Sequence, residues 1–63
     1  MSRAQFMEQL KKLLADISEE ERQEALAYYE NYFDDAGEER EAEVIRELGS
    51  PGKVAAIIKE DLK

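Results

Sequence analysis

The sequence predicts an all-α fold: a compact bundle of four short helices joined by tight Gly, Ser and Pro turns. Three observations support this class. Within each of four segments of the chain, apolar side chains recur three or four positions apart, which is the spacing of one helix face. Each break in the pattern carries residues that start or stop helices. No segment alternates apolar and polar residues as a half-buried strand does. We therefore expect at least about 60% helix and no strand.

The first helix is predicted to run from Ser2 to about Asp16. Ser2 is a favoured N-cap, and Gln5 stands three residues later, where a capping box places a side chain that bonds back to the cap. One face of the helix is apolar, because five large side chains recur at helical spacing. They are Phe6, Leu10, Leu13, Leu14 and Ile17.

The second helix is predicted from Ser18 to about Ala36. Ser18 and Glu21 form another capping box, and Gly37 is the residue type that ends helices with a positive φ. Tyr28 lies at the edge of the stripe that should face the core. The stripe itself consists of Ala25, Tyr29, Tyr32, Phe33 and Ala36.

The third helix is short, from Glu38 to Leu48, and Gly49 should end it with a positive φ. One side of this helix is apolar, which predicts that this side packs on the other helices. The apolar residues are Ala42, Val44, Ile45 and Leu48.

The fourth helix begins at once, because Ser50 is a favoured N-cap and Pro51 is favoured at the first helical position. A glycine-rich helix start can also bind phosphate, but a P-loop needs a preceding strand, so we interpret Gly49 to Gly52 as a sharp corner. The side chains expected to point inward are Val54, Ile57, Ile58 and Leu62.

Short connections make successive helices pack as neighbours around one core. Eight residues, taken from all four helices, are expected to be mostly buried in it. They are Leu10, Leu14, Tyr29, Phe33, Ile45, Leu48, Val54 and Ile58.

Length and composition exclude several classes of function. The chain is short enough for one domain only, residues 1–63, and it contains no Cys and no His. Disulfides and thiolate metal sites are therefore impossible, and we expect no cofactor and no metal. The net charge is −7, and seven acids stand against one cation in residues 18–37. Such an acidic chain repels phosphate, so no direct binding of nucleic acid is expected.

Two blocks of the sequence resemble a known family. The first reads YYENYFDDAG at residues 28–37 and follows SEEER at residues 18–22. The second reads VIRELGSP at residues 44–51. In their order and separation they closely resemble the HAAS family, the helix-turn-helix-associated alpha-helical signalling domain. The resemblance covers nearly the whole chain.

This resemblance implies a signalling role and a partner. HAAS domains usually form the cytosolic N-terminal part of bacterial membrane proteins, mostly in Gram-positive lineages. They are commonly encoded beside PadR-like winged-helix transcription regulators and are thought to act with them. The chain departs from this pattern by stopping at Lys63 without a membrane segment. It is therefore expected to be an excised domain or a short stand-alone member, in the cytoplasm or at the cytosolic face of a membrane protein.

One edge of the second helix is the candidate partner-binding surface. Asp34 and Asp35 stand at the C-terminal end of a helix, where the dipole disfavours negative charge by up to about 1 kcal/mol each. A broken local rule points to function, although a solvated pair, or Asp35 bonded to nearby backbone amides, is the alternative. Tyr28 is close in angle to Asp35 and would supply an aromatic anchor. The predicted partner-binding set is Tyr28, Asp34, Asp35, Glu38 and Glu39.

Two functions remain after these exclusions. The first is a non-enzymatic interaction domain that binds a PadR-like regulator and thereby affects transcription indirectly. The second is a structural role, as the homo-oligomerising cytosolic base of a membrane protein. An enzyme is not expected, because the chain has no His or Cys and no pairing of a nucleophile with a base.

Overall fold

The computed structural model describes residues 1–62. They contain four α-helices and one short 3₁₀ helix, joined by short turns. In chain order they are α1 (Arg3–Leu13), α2 (Glu19–Ala36), the 3₁₀ helix Glu38–Arg40, α3 (Glu41–Leu48) and α4 (Pro51–Asp61). Residues 1–62 contain no strand, and 82% of them are helical. The predicted all-α class with four helices is confirmed.

Serine side chains start three of the helices, as predicted. The Gln5 amide donates to Ser2 Oγ at 3.2 Å, and the Gln5 side chain accepts from the Ser2 amide at 3.0 Å. Ser18 and Glu21 form the same reciprocal pair at the start of α2. Ser50 caps α4 by accepting from the Lys53 amide at 3.1 Å. These bonds satisfy amides that the first turn of a helix otherwise leaves free.

Two predicted helices are shorter than expected. The first ends at Leu13, because the turn that follows tightens to bonds between residues three apart, such as Ala15 to Lys12. The third is divided, because the Arg40 amide bonds to the Gly37 carbonyl and so makes a 3₁₀ turn ahead of α3. Such tight turns are common at helix ends.

Glycines with positive φ make both corners on either side of α3. Gly37 has φ 85° and Gly49 has φ 91°, and both values lie in the region that L side chains avoid. The predicted positive φ at Gly49 is confirmed. Its amide still bonds to the Ile45 carbonyl at 3.0 Å, so it closes α3 while the chain turns into α4.

The core lies where α1 meets the other three helices. Phe6 and Phe33 pack edge to face at its centre, with ring centroids 5.8 Å apart, a favoured geometry for aromatic rings. The predicted core is confirmed, but its eight residues differ in how completely they are buried. Leu10, Leu14, Phe33 and Val54 are fully buried, while Tyr29, Ile45, Leu48 and Ile58 are partly buried against them.

Five residues predicted to face inward are exposed instead. The core covers only a narrow row of each helix, and adjacent residues on a helix point about 100° apart. Tyr32 therefore turns outward beside the buried Phe33, and Ile57 does so beside Ile58, while Leu62 lies beyond the last residue of α4. The five exposed residues are Leu13, Tyr32, Ala42, Ile57 and Leu62.

Ion pairs show how the helices are oriented. Arg3, in the first turn of α1, contacts Asp34 near the end of α2, so these helices run antiparallel. Asp16, just after α1, contacts Lys59 near the end of α4 at 2.8 Å. The C-terminal ends of α1 and α4 therefore lie together, and α3 lies beside the C-terminal end of α2.

Candidate interaction surface

The residues predicted to bind a partner lie on α2 and on the 3₁₀ helix after it. The local sequence explains why α2 is 18 residues long. Ser18 caps its N-terminal end, three acidic residues in the first turn suit the positive end of the helix dipole, and no residue that breaks helices occurs before Gly37. All five predicted side chains are exposed: Tyr28, Asp34, Asp35, Glu38 and Glu39.

Asp34 is bound within the chain by Arg3. Arg3 Nη2 donates to Asp34 Oδ1 at 2.7 Å and to the main-chain oxygen of Glu30 at 3.1 Å. Arg3 Nε lies 3.4 Å from Glu30 Oε1, and Nη1 lies 4.0 Å from Glu41 Oε2. The Arg3 Cζ atom lies 5.5 Å from the centre of the Phe33 ring. We call these residues the Arg3 cluster: Arg3, Glu30, Phe33, Asp34 and Glu41.

The Arg3 cluster accounts for the unfavourable position of Asp34. An acid at the end of α2 and a cation at the start of α1 each oppose their own helix dipole. Because the two helices are antiparallel, the side chains meet and offset both costs. The hydrogen bond to Asp34 is the main cause that raises the pKa of Arg3 above its ordinary value. The sequence prediction missed Arg3, although a cation in a first helical turn breaks the same rule as Asp34.

Tyr28 lines a groove between α2 and the C-terminal end of α4. Its side chain is 64% exposed, and its ring packs edge to face on Tyr29 with centroids 5.0 Å apart. The groove has a volume of about 380 Å³, and its opposite wall is formed by Ile58 of α4 and by Leu62, which directly follows α4. Burial, followed by the charges of neighbours that include Tyr28 and Asp61, raises the pKa of the Tyr29 hydroxyl. Tyr29 therefore contributes a neutral hydroxyl to a groove that is also lined by carboxylates, those of Glu21, Glu24 and Asp61.

Asp35 lines a second groove, between α2 and α3. Tyr32 and Ala36 of α2 form one wall, Val44 of α3 contributes to the other, and Arg40 reaches in from the 3₁₀ helix. The volume is about 360 Å³. Tyr32 is 38% exposed here, which leaves its ring free to contact a partner.

The two grooves lie on the same side of α2. Ala25, Tyr28, Tyr32 and Asp35 follow one another at spacings of three, four and three residues, so they form one row along the helix. We call this row, with the walls that α3 and α4 add, the tyrosine face. Within residues 1–62, six carboxylates line its grooves against the one guanidinium of Arg40. The carboxylates belong to Glu21, Glu24, Asp35, Glu43, Glu47 and Asp61.

The structure divides the predicted set of partner-binding residues among three places. Tyr28 and Asp35 both belong to the tyrosine face but line different grooves. Asp34 belongs to the Arg3 cluster. Glu38 and Glu39 are exposed on the 3₁₀ helix, outside both grooves. That these residues bind a partner stays a prediction.

Neither groove is arranged as a metal site. Nowhere in residues 1–62 do three or more acidic side chains converge closely enough to hold a metal ion. In the same part of the chain, every helix is too short or too polar to cross a membrane. An open, acidic and partly aromatic surface is suited to contact with a cationic partner.

Comparison with known proteins identifies the family. Among curated proteins and solved structures, no significant match to this chain is found. The model of the HAAS family matches residues 5–57 of the 63 residues, a range that contains the whole of α2 and α3. HAAS is a family of small helical signalling domains and is not a known enzyme family. The chain belongs to the HAAS family.

Proposed function

We propose that this domain is a non-enzymatic cytosolic interaction module that binds a PadR-like winged-helix regulator and so affects transcription indirectly. The observation that carries the proposal is the exposed acidic surface of α2, which lies in a chain of net charge −7. A DNA-binding regulator needs a basic surface for phosphate, so the two proteins have complementary charge. The resemblance to the HAAS family adds that such regulators are commonly encoded beside these domains.

Tyr28 and Asp35 are proposed as the principal contacts. An exposed aromatic ring supplies area that becomes buried on binding, and a neighbouring carboxylate orients the partner. Glu38 and Glu39 extend the negative surface beyond the end of α2 and would mainly speed association. Asp34 is expected to contribute least, because Arg3 already neutralises it.

The test is a titration of the domain with a PadR-like winged-helix regulator, at two salt concentrations. Binding should weaken as salt rises, because the attraction acts between exposed charges. Asp35→Ala should slow association, and Tyr28→Ala should speed dissociation. Glu8→Ala, which removes an exposed acid from α1, is the matched control and should bind as the parent does. A regulator that does not bind the folded parent would refute the proposal.

A homo-oligomer is the second candidate. Two apolar side chains are exposed near the C-terminal ends of α1 and α4, Leu13 at 43% and Ile57 at 51%. A copy of the domain could cover them, although the net charge of −7 opposes self-association. Light scattering on the domain alone tests this role. A stable dimer that Ile57→Glu dissociates would support it, and a monomer at all concentrations would exclude it.

A further inference from the structure

We infer that the tyrosine face docks a single basic amphipathic α-helix of a protein partner. The inference goes beyond the proposed function by naming the surface used and the structural element that it receives. It rests on that function only for the identity of the partner. Spacing, exposure and charge each support it.

The spacing of the tyrosine face suits a helix. Ala25, Tyr28, Tyr32 and Asp35 stand at the alternating intervals of three and four residues by which one helix packs along another. Glu21, at the start of the first groove, belongs to the same row. The row from Glu21 to Asp35 extends for about 21 Å along α2, the length of a helix of about 14 residues.

The walls of the tyrosine face offer apolar area that nothing within residues 1–62 covers. Tyr28 is 64% exposed and Leu62 is 44% exposed in the first groove, and Tyr32 is 38% exposed in the second. Volumes of about 380 and 360 Å³ leave room beside these side chains for apolar residues of a docked helix. Tyr28 and Tyr32 would lie under the centre of the docked helix.

Charge decides what kind of helix fits. Within residues 1–62, none of the six carboxylates of the tyrosine face takes part in an ion pair, whereas the acids of the Arg3 cluster do. A partner helix with Lys and Arg beside its apolar row would neutralise them. A second copy of this domain would instead bring the same acids together, and that repulsion excludes it as the occupant.

The first experiment measures binding of the folded chain to the PadR-like regulator by calorimetry. Replacing both Tyr28 and Tyr32 with Ala should weaken binding at least tenfold, as for central aromatic contacts in other interfaces. Leu13→Ala is the control, since it removes an apolar side chain that is 43% exposed and belongs to α1, outside the tyrosine face. Glu24→Lys with Asp61→Lys reverses charge without removing apolar area, and should slow association where Glu8→Lys does not. Melting curves establish that every variant is folded.

The second experiment does not depend on the regulator. Two synthetic 14-residue helices share one row of Leu and Ile, and carry either Lys and Arg or Glu beside it. The basic peptide should saturate the domain and shift the amide resonances of Tyr28, Tyr32 and Leu62. The acidic peptide should not bind, and the double Tyr→Ala variant should bind the basic peptide at least tenfold more weakly.

The outcomes separate this inference from the proposed function. A regulator that binds the parent and the double Tyr→Ala variant equally would leave the function standing and overturn the docking surface. A regulator that does not bind, with a basic peptide that does, would refute the partner and support the surface. A basic peptide that fails to bind, or binds the variant as well as the parent, would overturn the inference. So would a dimer of the domain that the double variant dissociates.

Discussion

The Arg3 cluster and the tyrosine face share α2, yet one is completed within the chain and the other is left open. Four successive residues show the division. Phe33 is buried and Asp34 is paired with Arg3, whereas Tyr32 and Asp35 line an open groove. Helical geometry alone separates them, because each residue points about 100° from the one before it.

This comparison shows that a single motif can serve two purposes. The letters YFDD look like one functional unit in the sequence. In the structure, Phe33 and Asp34 hold α1 against α2, while Tyr32 and Asp35 contribute nothing to the core. Tyr32 and Asp35 are therefore the residues to test for binding, because packing within the chain does not explain them.

Truncation of adjacent aromatic residues should separate the two regions most clearly. Phe33→Ala should cost about 3–5 kcal/mol, because it leaves a cavity beside Phe6. That loss is enough to unfold a domain whose total stability is of order a few kcal/mol. Tyr32→Ala should cost about 1 kcal/mol or less, since the ring is exposed. Thermal and urea melts followed by circular dichroism measure both.

If Phe33→Ala leaves no folded protein, Phe33→Leu supplies a measurable intermediate, with an expected loss below about 1.5 kcal/mol. Equal losses for Phe33→Ala and Tyr32→Ala would contradict the division of α2 into a structural row and an open row.

The corner at Gly49 should have the next largest effect, because it sets where α4 stands against the tyrosine face. Gly49→Val should cost about 1–2 kcal/mol, since a φ of 91° is unfavourable for a side chain. Gly52→Ala is the matched control inside α4. A Cβ there meets only Ser50 Oγ, at 3.9 Å, so this change should stabilise by about 0.5–1 kcal/mol. A Gly49→Val variant that melts no lower than the parent would refute this role of the corner.

A double-mutant cycle should show that only one of two neighbouring aspartates supports the fold. Arg3→Met should lower the melting temperature and should be coupled to Asp34→Ala, because their side chains are 2.7 Å apart. The same cycle with Asp35→Ala should show no coupling, since Asp35 lies in the groove beside α3. Arg40→Met, in that groove, should leave the melting temperature nearly unchanged. Equal coupling of Arg3 to both aspartates would contradict the comparison.

Local features were the ones that the sequence could predict. Ser2, Ser18 and Ser50 cap their helices through residues three positions away. Such caps can therefore be predicted from a short stretch of sequence. The same is true of the break at Gly49. Of the row on α2, the sequence assigns Tyr28 and Asp35 to the candidate partner-binding surface, but it assigns Ala25 and Tyr32 to the stripe that should face the core. Tyr28 could be assigned because it lies at the edge of that stripe.

Features that depend on distant contacts could not be predicted. Which side chains are covered depends on where neighbouring helices lie, so the outward positions of Tyr32 and Ile57 follow only from the packing of α1 on α2 and α4. The pairing of Arg3 with Asp34 joins residues 31 positions apart. In the sequence, Arg3 and Asp34 each oppose the dipole of their own helix, which indicates that they could pair. The sequence does not show that the two helices bring them together.

The ion pair between Asp16 and Lys59 should have the smallest effect and tests the end of the molecule opposite the Arg3 cluster. Lys59 Nζ lies 2.8 Å from Asp16 Oδ1, and the Asp16 side chain is exposed while that of Lys59 is partly exposed, so solvent screens much of the attraction. The hydrogen bond from Lys59 is the main cause that lowers the pKa of Asp16 below its ordinary value of 3.8. Lys59→Met should therefore raise that pKa toward 3.8, measured by NMR titration of the Asp16 carboxyl, and Lys53→Met should leave it unmoved.

The sign of the stability effect follows from the direction of this shift. Because the pKa of Asp16 is lower in the folded chain than in the unfolded one, the pair stabilises the fold at pH values above the unfolded pKa. The stabilisation is lost as the pH falls through the folded pKa, where the carboxyl becomes neutral in both states. Parent and Lys59→Met should therefore differ slightly in melting temperature at neutral pH, and the part due to Asp16 should vanish in acid. A difference that persists unchanged below the folded pKa would mean that Lys59 stabilises α4 through its aliphatic chain and not through Asp16.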